Sequence, residues 1–237
     1  MFRKVGIMAL YAISDLHLAL STDKPMDIFG EKWIGHDEKI RNNWIEKIKD
    51  TDTVLIAGDI SWSMKHDDSK KDLDWVDDLP GKKIISKGNH DYWWCSISKL
   101  NAMYKNTKFI QNNFYKYNDY AICGTRGWIC KGSERFSGKD EKIYLREEIR
   151  LRLSLEEAKK AGYEKIICML HYPPTNEKLE NSVFTSILEE FNVEKVVYGH
   201  LHGNILKDRM LEGNHNGVEY ILTSCDYIDF NPIKILD

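Results

Sequence analysis

The chain predicts an α/β fold in which a mixed sheet, or two packed sheets, is flanked by helices. Short apolar runs of strand length alternate with segments whose apolar residues recur at helical spacing. Those runs stop abruptly at Gly, Asp, Asn or His. Near the C-terminus, an Asn-Gly-containing connection separates two further apolar segments, as in a β-hairpin. The order β-α-β-α-β, then β, α-β-α-β and a hairpin suits layered sheets and helices. With 237 residues there is enough chain for one large domain, and little for two, so residues 1–237 are read as a single domain.

Residues 9–13 form the first expected strand, ended by Ser14-Asp15. Arg3 and Lys4 precede an apolar stretch over 5–13 that imitates a secretory signal. No small-residue cleavage site follows it, and Asp15 and His17 come at once, so a core strand is the better reading. Met8 offers an alternative start, with 1–7 as an N-terminal extension outside the fold. Residues 18–36 carry Pro25, Gly30 and Gly35 and read as a long loop, where Trp33 and His36 are candidates for a lid. Residues 37–50 place Ile40, Trp44, Ile45 and Ile48 at helical spacing, with Asp37 near the start. A buried strand follows at 53–57.

Residues 61–79 are rich in charge, with Leu73, Val76 and Leu79 as a helix stripe and the charges as a solvated face. A third strand spans 83–86 and a helix 96–103. Short β segments are expected at 109–110, 114–117 and 120–123, then a Gly-rich loop at 124–138. The longest helical pattern is 140–161, with Ile143, Ile149 and Leu153 on its apolar face and Gly162 as its stop. A strand at 165–170 is halted by His171 and Pro173-Pro174, a helix covers 182–191, and a strand at 195–198 ends at Gly199. The hairpin arms are expected at 205–211 and 218–223.

Bulk properties exclude several classes. Net charge is -3 with both signs interspersed, so no basic stripe or polybasic patch marks a nucleic-acid or membrane partner. No apolar segment approaches the ~20 residues of a membrane span. Five cysteines, an odd number without a CxxC pair, suit a reducing compartment, and the protein is expected in the cytoplasm.

Function is carried by short fragments placed just after the strands: Asp15-Leu16-His17, Gly58-Asp59, Gly88-Asn89-His90-Asp91, His171 and Gly199-His200-Leu201-His202. In an open α/β sheet, ligands bind beyond the carboxyl ends of the strands. Five of the eight histidines lie in these fragments, and only His36, His66 and His215 lie outside. Asp15 and His17 alternate by two, as do His200 and His202, so each pair can face one site from one extended segment. Gly58 and Gly199 allow tight turns and close backbone approach. Imidazole and carboxylate without thiolate suit Mn, Fe or Zn in a two-metal hydrolytic centre. Two divalent ions, less Asp15, Asp59 and one hydroxide, leave net positive charge, which favours a phosphate ester over a neutral amide.

In this order and spacing, over about residues 9–202, the fragments resemble the calcineurin-like metallophosphoesterase superfamily. The resemblance implies a four-layer αββα sandwich of two packed mixed sheets, with a dimetal site at the C-terminal edge of the strands. It implies that Asp15, His17, Asp59 and His202 hold one divalent or trivalent ion, and Asp59, Asn89, His171 and His200 the other, with Asp59 bridging. A metal-bridging hydroxide would attack phosphorus in a small phosphorylated substrate. His90 would stabilise or protonate the departing oxygen, with Asp91 orienting its ring.

The chain departs from the Ser/Thr protein phosphatases of that superfamily. Its second motif continues Ile60-Ser61-Trp62 and its third ends in Asp91, where they carry further acidic and Arg residues and a Glu. Protein dephosphorylation is therefore not carried over, and the bacterial phosphohydrolase and phosphodiesterase branches are the better likeness. A nuclease of the same chemistry is disfavoured by the weak basic character. A non-catalytic metal-binding scaffold is disfavoured because every expected ligand is present. Trp62, Tyr92, Trp93 and Trp94 either stack on a flat substrate group or, the favoured reading, pack the cleft wall. Arg126 and Trp128 either reach a phosphate or lie on a solvated loop.

Overall fold

Strands form where the apolar runs stand. The structure, a computed structural model, describes residues 8–203 and 210–237. In the first sheet β1 (Leu10–Ile13), β2 (Thr53–Ala57), β3 (Lys82–Ser86) and β4 (Thr107–Ile110) run parallel, and β11 (Ile233–Leu236) pairs antiparallel with β1. The second sheet has β6 (Tyr120–Thr125), β7 (Lys165–Leu170), β8 (Lys195–Tyr198) and β10 (Val218–Leu222) in parallel. Its edges are antiparallel: β5 (Tyr115–Tyr117) beside β6, and β9 (Gly213–His215) beside β10.

The period of two in each strand divides its side chains between two cores. Leu10, Ala12, Leu55 and Ile84 meet Ile122, Ile167, Met169 and Val197 between the sheets. The alternate residues Ile13, Val54, Ile56 and Ile85 face outward, onto Ile40 and Trp44 of α1 (His36–Lys47), Leu73 and Val76 of α2 (Lys70–Asp78) and Leu100 of α3 (Ile97–Met103). On the far side, Cys123, Ile166, Cys168 and Val196 meet α4 (Glu141–Lys160) and α5 (Val183–Glu190). The result is helices, sheet, sheet, helices, the expected four layers. Strands buried on both faces read as continuous apolar runs, which is why the sequence betrays them.

Three details differ from expectation. On α4, Ile149 and Leu153 are 59% and 39% exposed, and the buried stripe is Tyr144, Glu147, Leu151, Leu155 and Ala158. A stripe containing Glu147 reads as polar, yet that carboxylate is neutralised from both sides by arginines. In the tail, 205–209 of the expected first arm lie outside the described residues, and the hairpin pairs Gly213–His215 with Val218–Leu222. Its turn is Asn216-Gly217, with φ of 52° and 86°, the left-handed pair of a type I′ turn. Finally, β11 had no place in the sequence reading. Within the long first loop, Asp27–Phe29 and Glu31–Trp33 form single 3-10 turns. Among the described residues no helix is long and apolar enough to cross a membrane.

The parallel strands of both sheets end on one edge, and there the sheets are stitched together. Ser14 N–H donates to Thr223 O at 2.8 Å and Cys225 N–H to Ser14 O at 3.1 Å. This joins the ends of β1 and β10 and brings the loops after five strands to one rim.

Candidate metal centre

Backbone conformation places the side chains. Asp15, His17, Asp59 and His200 all have left-handed φ, at 59°, 46°, 54° and 71°. Such backbone costs a non-glycine residue about 1–2 kcal/mol and persists only where surroundings dictate it. Here Asp15 N–H donates to Gly58 O at 2.9 Å, His17 N–H to Asp59 O at 3.0 Å, and His200 N–H to Asp15 Oδ2 at 3.0 Å. Two glycines make room for the carboxylates. A Cβ on Gly88 would lie 2.0 Å from Asp59 Oδ1, and one on Gly199 2.3 Å from Asp15 Oδ2.

These loops bring all nine expected site residues to the rim. His202 Nε2 lies 3.3 Å from Asp15 Oδ1, and His17 Nε2 lies 3.9 Å from Asp59 Oδ2 and 4.0 Å from Asp15 Oδ1. His171 Nε2 lies 3.4 Å from Asp59 Oδ2 and 2.7 Å from Asn89 Oδ1, which is also 2.9 Å from His200 Nδ1. The donor atoms of Asp15, His17 and His202, and of Asp15, Asp59 and His171, each cluster closely enough to share one ion.

The buried carboxylates and imidazoles shift one another's protonation. Asp15 and Asp59 are 0% and 1% exposed. Burial alone would raise both carboxyls, but His202, His171 and His17 hold Asp15 well below the usual range, and His171 helps lower Asp59 to about 2. The same carboxylates outweigh burial at His171 and His202, raised to about 9 and about 10. At His17 and His200 burial dominates, and they fall to about 4 and about 3. His17 Nδ1 is buried without a hydrogen-bond partner, and the Nε2 atoms of His17 and His202 face each other at 3.4 Å. Two buried carboxylates, converging imidazole nitrogens and an orphaned ring nitrogen fit divalent cations.

His90 and Asp91 behave differently from each other. The half-buried His90 ring lies 5.7 Å from that of His17 and 4.3 Å from Trp62, and the backbone N–H of His90 donates to Asp59 Oδ1 at 2.8 Å. Burial lowers its pKa. Asp91, expected to orient that ring, spends its carboxylate elsewhere. Oδ2 accepts from Asp59 N (3.0 Å) and Gly88 N (2.7 Å), and Oδ1 from Ile60 N (2.9 Å), Ser61 N (3.4 Å) and Trp93 Nε1 (3.0 Å). Asp91 thus locks the second and third loops together. Burial, reinforced by Asp59, raises it to about 6.

Sequence reasoning missed two supporting residues, Asp226 and Ser14, and gave a third, His36, a different role. Asp226 Oδ1 lies 2.7 Å from His202 Nδ1 and Oδ2 accepts from Gly203 N at 3.0 Å, which fixes the imidazole's tautomer and aims Nε2 at the cluster. Asp226 follows the apolar strand β10 after a Ser-Cys step, much as Asp15 follows β1, and that parallel is the signal that could have found it. Ser14 Oγ donates to Asp15 Oδ2 at 2.5 Å. His36 Nε2 lies 3.1 Å from Leu16 O and so supports the His17 loop. Asp226→Ala should weaken metal binding about 10–100-fold. Competitive titration against a chromogenic chelator would measure this, and unchanged affinity would remove Asp226 from the site.

The aromatic and arginine candidates resolve by their contacts. Trp93 is 1% exposed and Trp94 Nε1 donates to Gln111 at 3.3 Å, so both are packing, whereas Tyr92 is 59% exposed. Trp62 belongs to the site: it stacks on His17 at 4.8 Å and carries the Lys24 ammonium 3.7 Å above its ring. Trp33 and His36 are buried wall rather than lid, with Trp33 edge-on to His17 and His202. Arg126 is neither on the cluster nor solvated. It pairs with Glu147 at 3.1 Å, as Arg150 does at 2.7 Å, while Thr125 Oγ1 donates to the same carboxylate at 2.5 Å. Glu147→Ala should cost about 3 kcal/mol, the low end for breaking a buried pair because both arginines keep a partly solvated edge. A denaturant midpoint shift worth under about 1 kcal/mol would contradict that.

Comparisons with known proteins agree with this geometry. The sequence profile described as calcineurin-like phosphoesterase matches residues 8–204. No functionally curated protein matches the chain. Among solved structures, a protein of unknown function from Aquifex aeolicus is similar at 18% identity and TM-score 0.53, covering 96% of this chain and 95% of that one. Phosphopantetheinyl hydrolase from Mycobacterium tuberculosis is similar at 15% identity and TM-score 0.56, with 95% of each chain covered. A protein from Thermus thermophilus gives 10% identity and TM-score 0.60, with 97% and 98% covered. At these identities the likeness is one of fold.

Proposed function

The chain belongs to the calcineurin-like phosphoesterase family, and from that premise we propose that it is a phosphohydrolase, dependent on two metal ions, that acts on a small phosphorylated substrate. The convergence of Asp15, Asp59, His17, His171 and His202 donor atoms on one rim carries this reading. Asp15, His17, Asp59 and His202 would hold one ion and Asp59, Asn89, His171 and His200 the other, with Asp59 common to both. Mn, Fe or Zn held there would lower the pKa of water to about 7 and shield the charge of the phosphoryl group.

The protein's own groups supply the rest. His90, whose ring lines the cavity beside Asp59, donates a proton toward the departing oxygen. Asp91 acts one step away, by fixing the loop that carries His90 and the backbone of Asp59. Trp33 and Trp62 exclude water from the His17 side. The whole chain serves as one catalytic domain. Its five free cysteines suit a reducing compartment and support a cytoplasmic location.

The test supplies Mn, Zn or Fe and measures hydrolysis of para-nitrophenyl phosphate and bis(para-nitrophenyl) phosphate. Turnover that vanishes on chelation and returns with metal is expected. Metal bound at full stoichiometry without hydrolysis of any phosphate ester would instead mark a binding scaffold.

A further inference from the structure

The long first loop carries to the rim a cation that belongs to none of the ligand motifs. The loop is fixed on both sides of Lys24. Buried Asp72 of α2 accepts the Leu20 N–H on Oδ1 at 2.9 Å and the Ser61 hydroxyl on Oδ2, which ties the first loop to the second. Leu18 N–H donates to Ile60 O and Trp62 N–H to Leu18 O, each at 2.9 Å, and these bonds complete the tie. On the other side Met26 is buried, and its Sδ accepts the Trp62 Nε1–H at 3.0 Å. Lys24 stands between these anchors, and Pro25 after it turns its backbone away from the helical region.

The Lys24 ammonium ends 3.7 Å above the ring of Trp62. Trp62 in turn stacks on His17 at 4.8 Å and lies 4.3 Å from His90. Burial is the first cause of the lowered His90 pKa, and His171 and Lys24 add to it, so the charge of the ammonium is felt at that ring. Lys24 is exposed and makes no ion pair or hydrogen bond among the described residues. Neighbouring cations are spent: Lys71 donates to Leu20 O, Lys32 pairs with Asp229 and Arg126 with Glu147. The cavity of about 490 Å³ that His17, Asp59, Trp62 and His90 line has no Lys or Arg among the described residues of its wall. Arg135 lines a neighbouring cavity that Asp59 and His90 do not border. A lysine is a compact charge on a flexible stem, and an aromatic face holds an exposed ammonium only weakly. Trp62 therefore keeps a releasable cation beside a cavity that otherwise lacks one.

We propose that Lys24 is a substrate-binding residue, whose ammonium leaves the face of Trp62 to contact the non-bridging oxygens of a phosphoryl group seated beside Asp59 and His90. This rests on the phosphohydrolase reading above and adds a contact that lies outside every ligand motif. The contact also sets a preference by charge. Coulomb energy scales with the product of the charges, so a dianionic group gains about twice what a monoanionic group gains from the same ammonium. Lys24 thus favours the more highly charged of two phosphoryl groups offered to the site.

The test compares para-nitrophenyl phosphate with bis(para-nitrophenyl) phosphate on metal-loaded full-length protein at about pH 8, where the monoester is a dianion. Lys24→Met should lower kcat/KM about tenfold for the monoester, the worth of one hydrogen bond from a charged group. For the diester the loss should be about threefold, the square root of that factor. Lys24→Arg keeps the charge and should stay within about threefold of wild type on both. A second readout needs no turnover. In Lys24→Met the calorimetric Kd for inorganic phosphate should rise about tenfold and that for dimethyl phosphate about threefold, while the metal-induced rise in Tm keeps its wild-type value. Equal losses on the two esters, an unchanged Kd for phosphate, or a Lys24→Arg protein as impaired as Lys24→Met would overturn the inference, and wild-type turnover would leave the phosphohydrolase reading standing. A wild type that binds metal and hydrolyses neither ester overturns that reading, and the phosphate titration still decides for or against Lys24.

Discussion

Asp59→Ala should yield a folded protein that neither binds its metals tightly nor turns over phosphate esters, with a rate loss of about 10³-fold or more. Asp59 is the carboxylate that the two proposed ligand groups share, 3.9 Å from His17 Nε2 and 3.4 Å from His171 Nε2. Its removal takes away charge from each group at once. The histidines left behind would then lack the carboxylate that helps raise His171 to about 9.

A second readout does not depend on activity. Ligand at 100 times Kd stabilises the folded state by ~2.7 kcal/mol, which for a chain of this size raises Tm by about 5–10 °C. Wild-type protein should show that rise on adding Mn or Zn, and Asp59→Ala should lose most of it. Because Asp59 Oδ1 also accepts the His90 N–H, part of the rate loss will come from displacement of His90. The thermal shift separates the two effects. An Asp59→Ala protein with a full metal-induced shift and full activity would sink the dinuclear reading.

How much of this was legible in the sequence follows from where each signal lies. The candidate ligands were readable because each stands at or just past the end of an apolar run, and parallel strands carry strand ends to one edge. Asp226 obeys the same logic but follows its strand by several residues and belongs to no compact motif, so it passed unnoticed. Asp91 was placed in the right loop with the wrong partner. Its bonds go to backbone amides of the neighbouring loop, and side-chain chemistry alone cannot foretell which amides fold over it. The buried face of α4 was hidden for a related reason. Glu147 is buried only because Arg126 and Arg150 arrive from elsewhere in the chain, so the true stripe looked polar and an outward one looked apolar. The strand β11 pairs at the sheet edge beside β1, and pairing between the two ends of a chain leaves no local trace.

His90→Ala should lower kcat about 10²–10⁴-fold, the usual worth of general acid help, while metal content and the metal-induced rise in Tm stay at wild-type values. The prediction follows from placement. His90 projects into the cavity it shares with Asp59 and His200, half-buried against Trp62, and none of the donor clusters includes it. If its task is to protonate the departing oxygen, the loss must depend on the leaving group. A nitrophenolate needs little protonation, so para-nitrophenyl esters should lose least; an alkyl alkoxide needs much, so alkyl esters should lose most. If His90 only steadied the phosphoryl oxygens, the loss would be the same for both. Loss of kcat and kcat/KM in equal proportion would place the interaction in the transition state alone. A His90→Ala protein that retains near wild-type turnover of an alkyl ester would assign the proton to another donor.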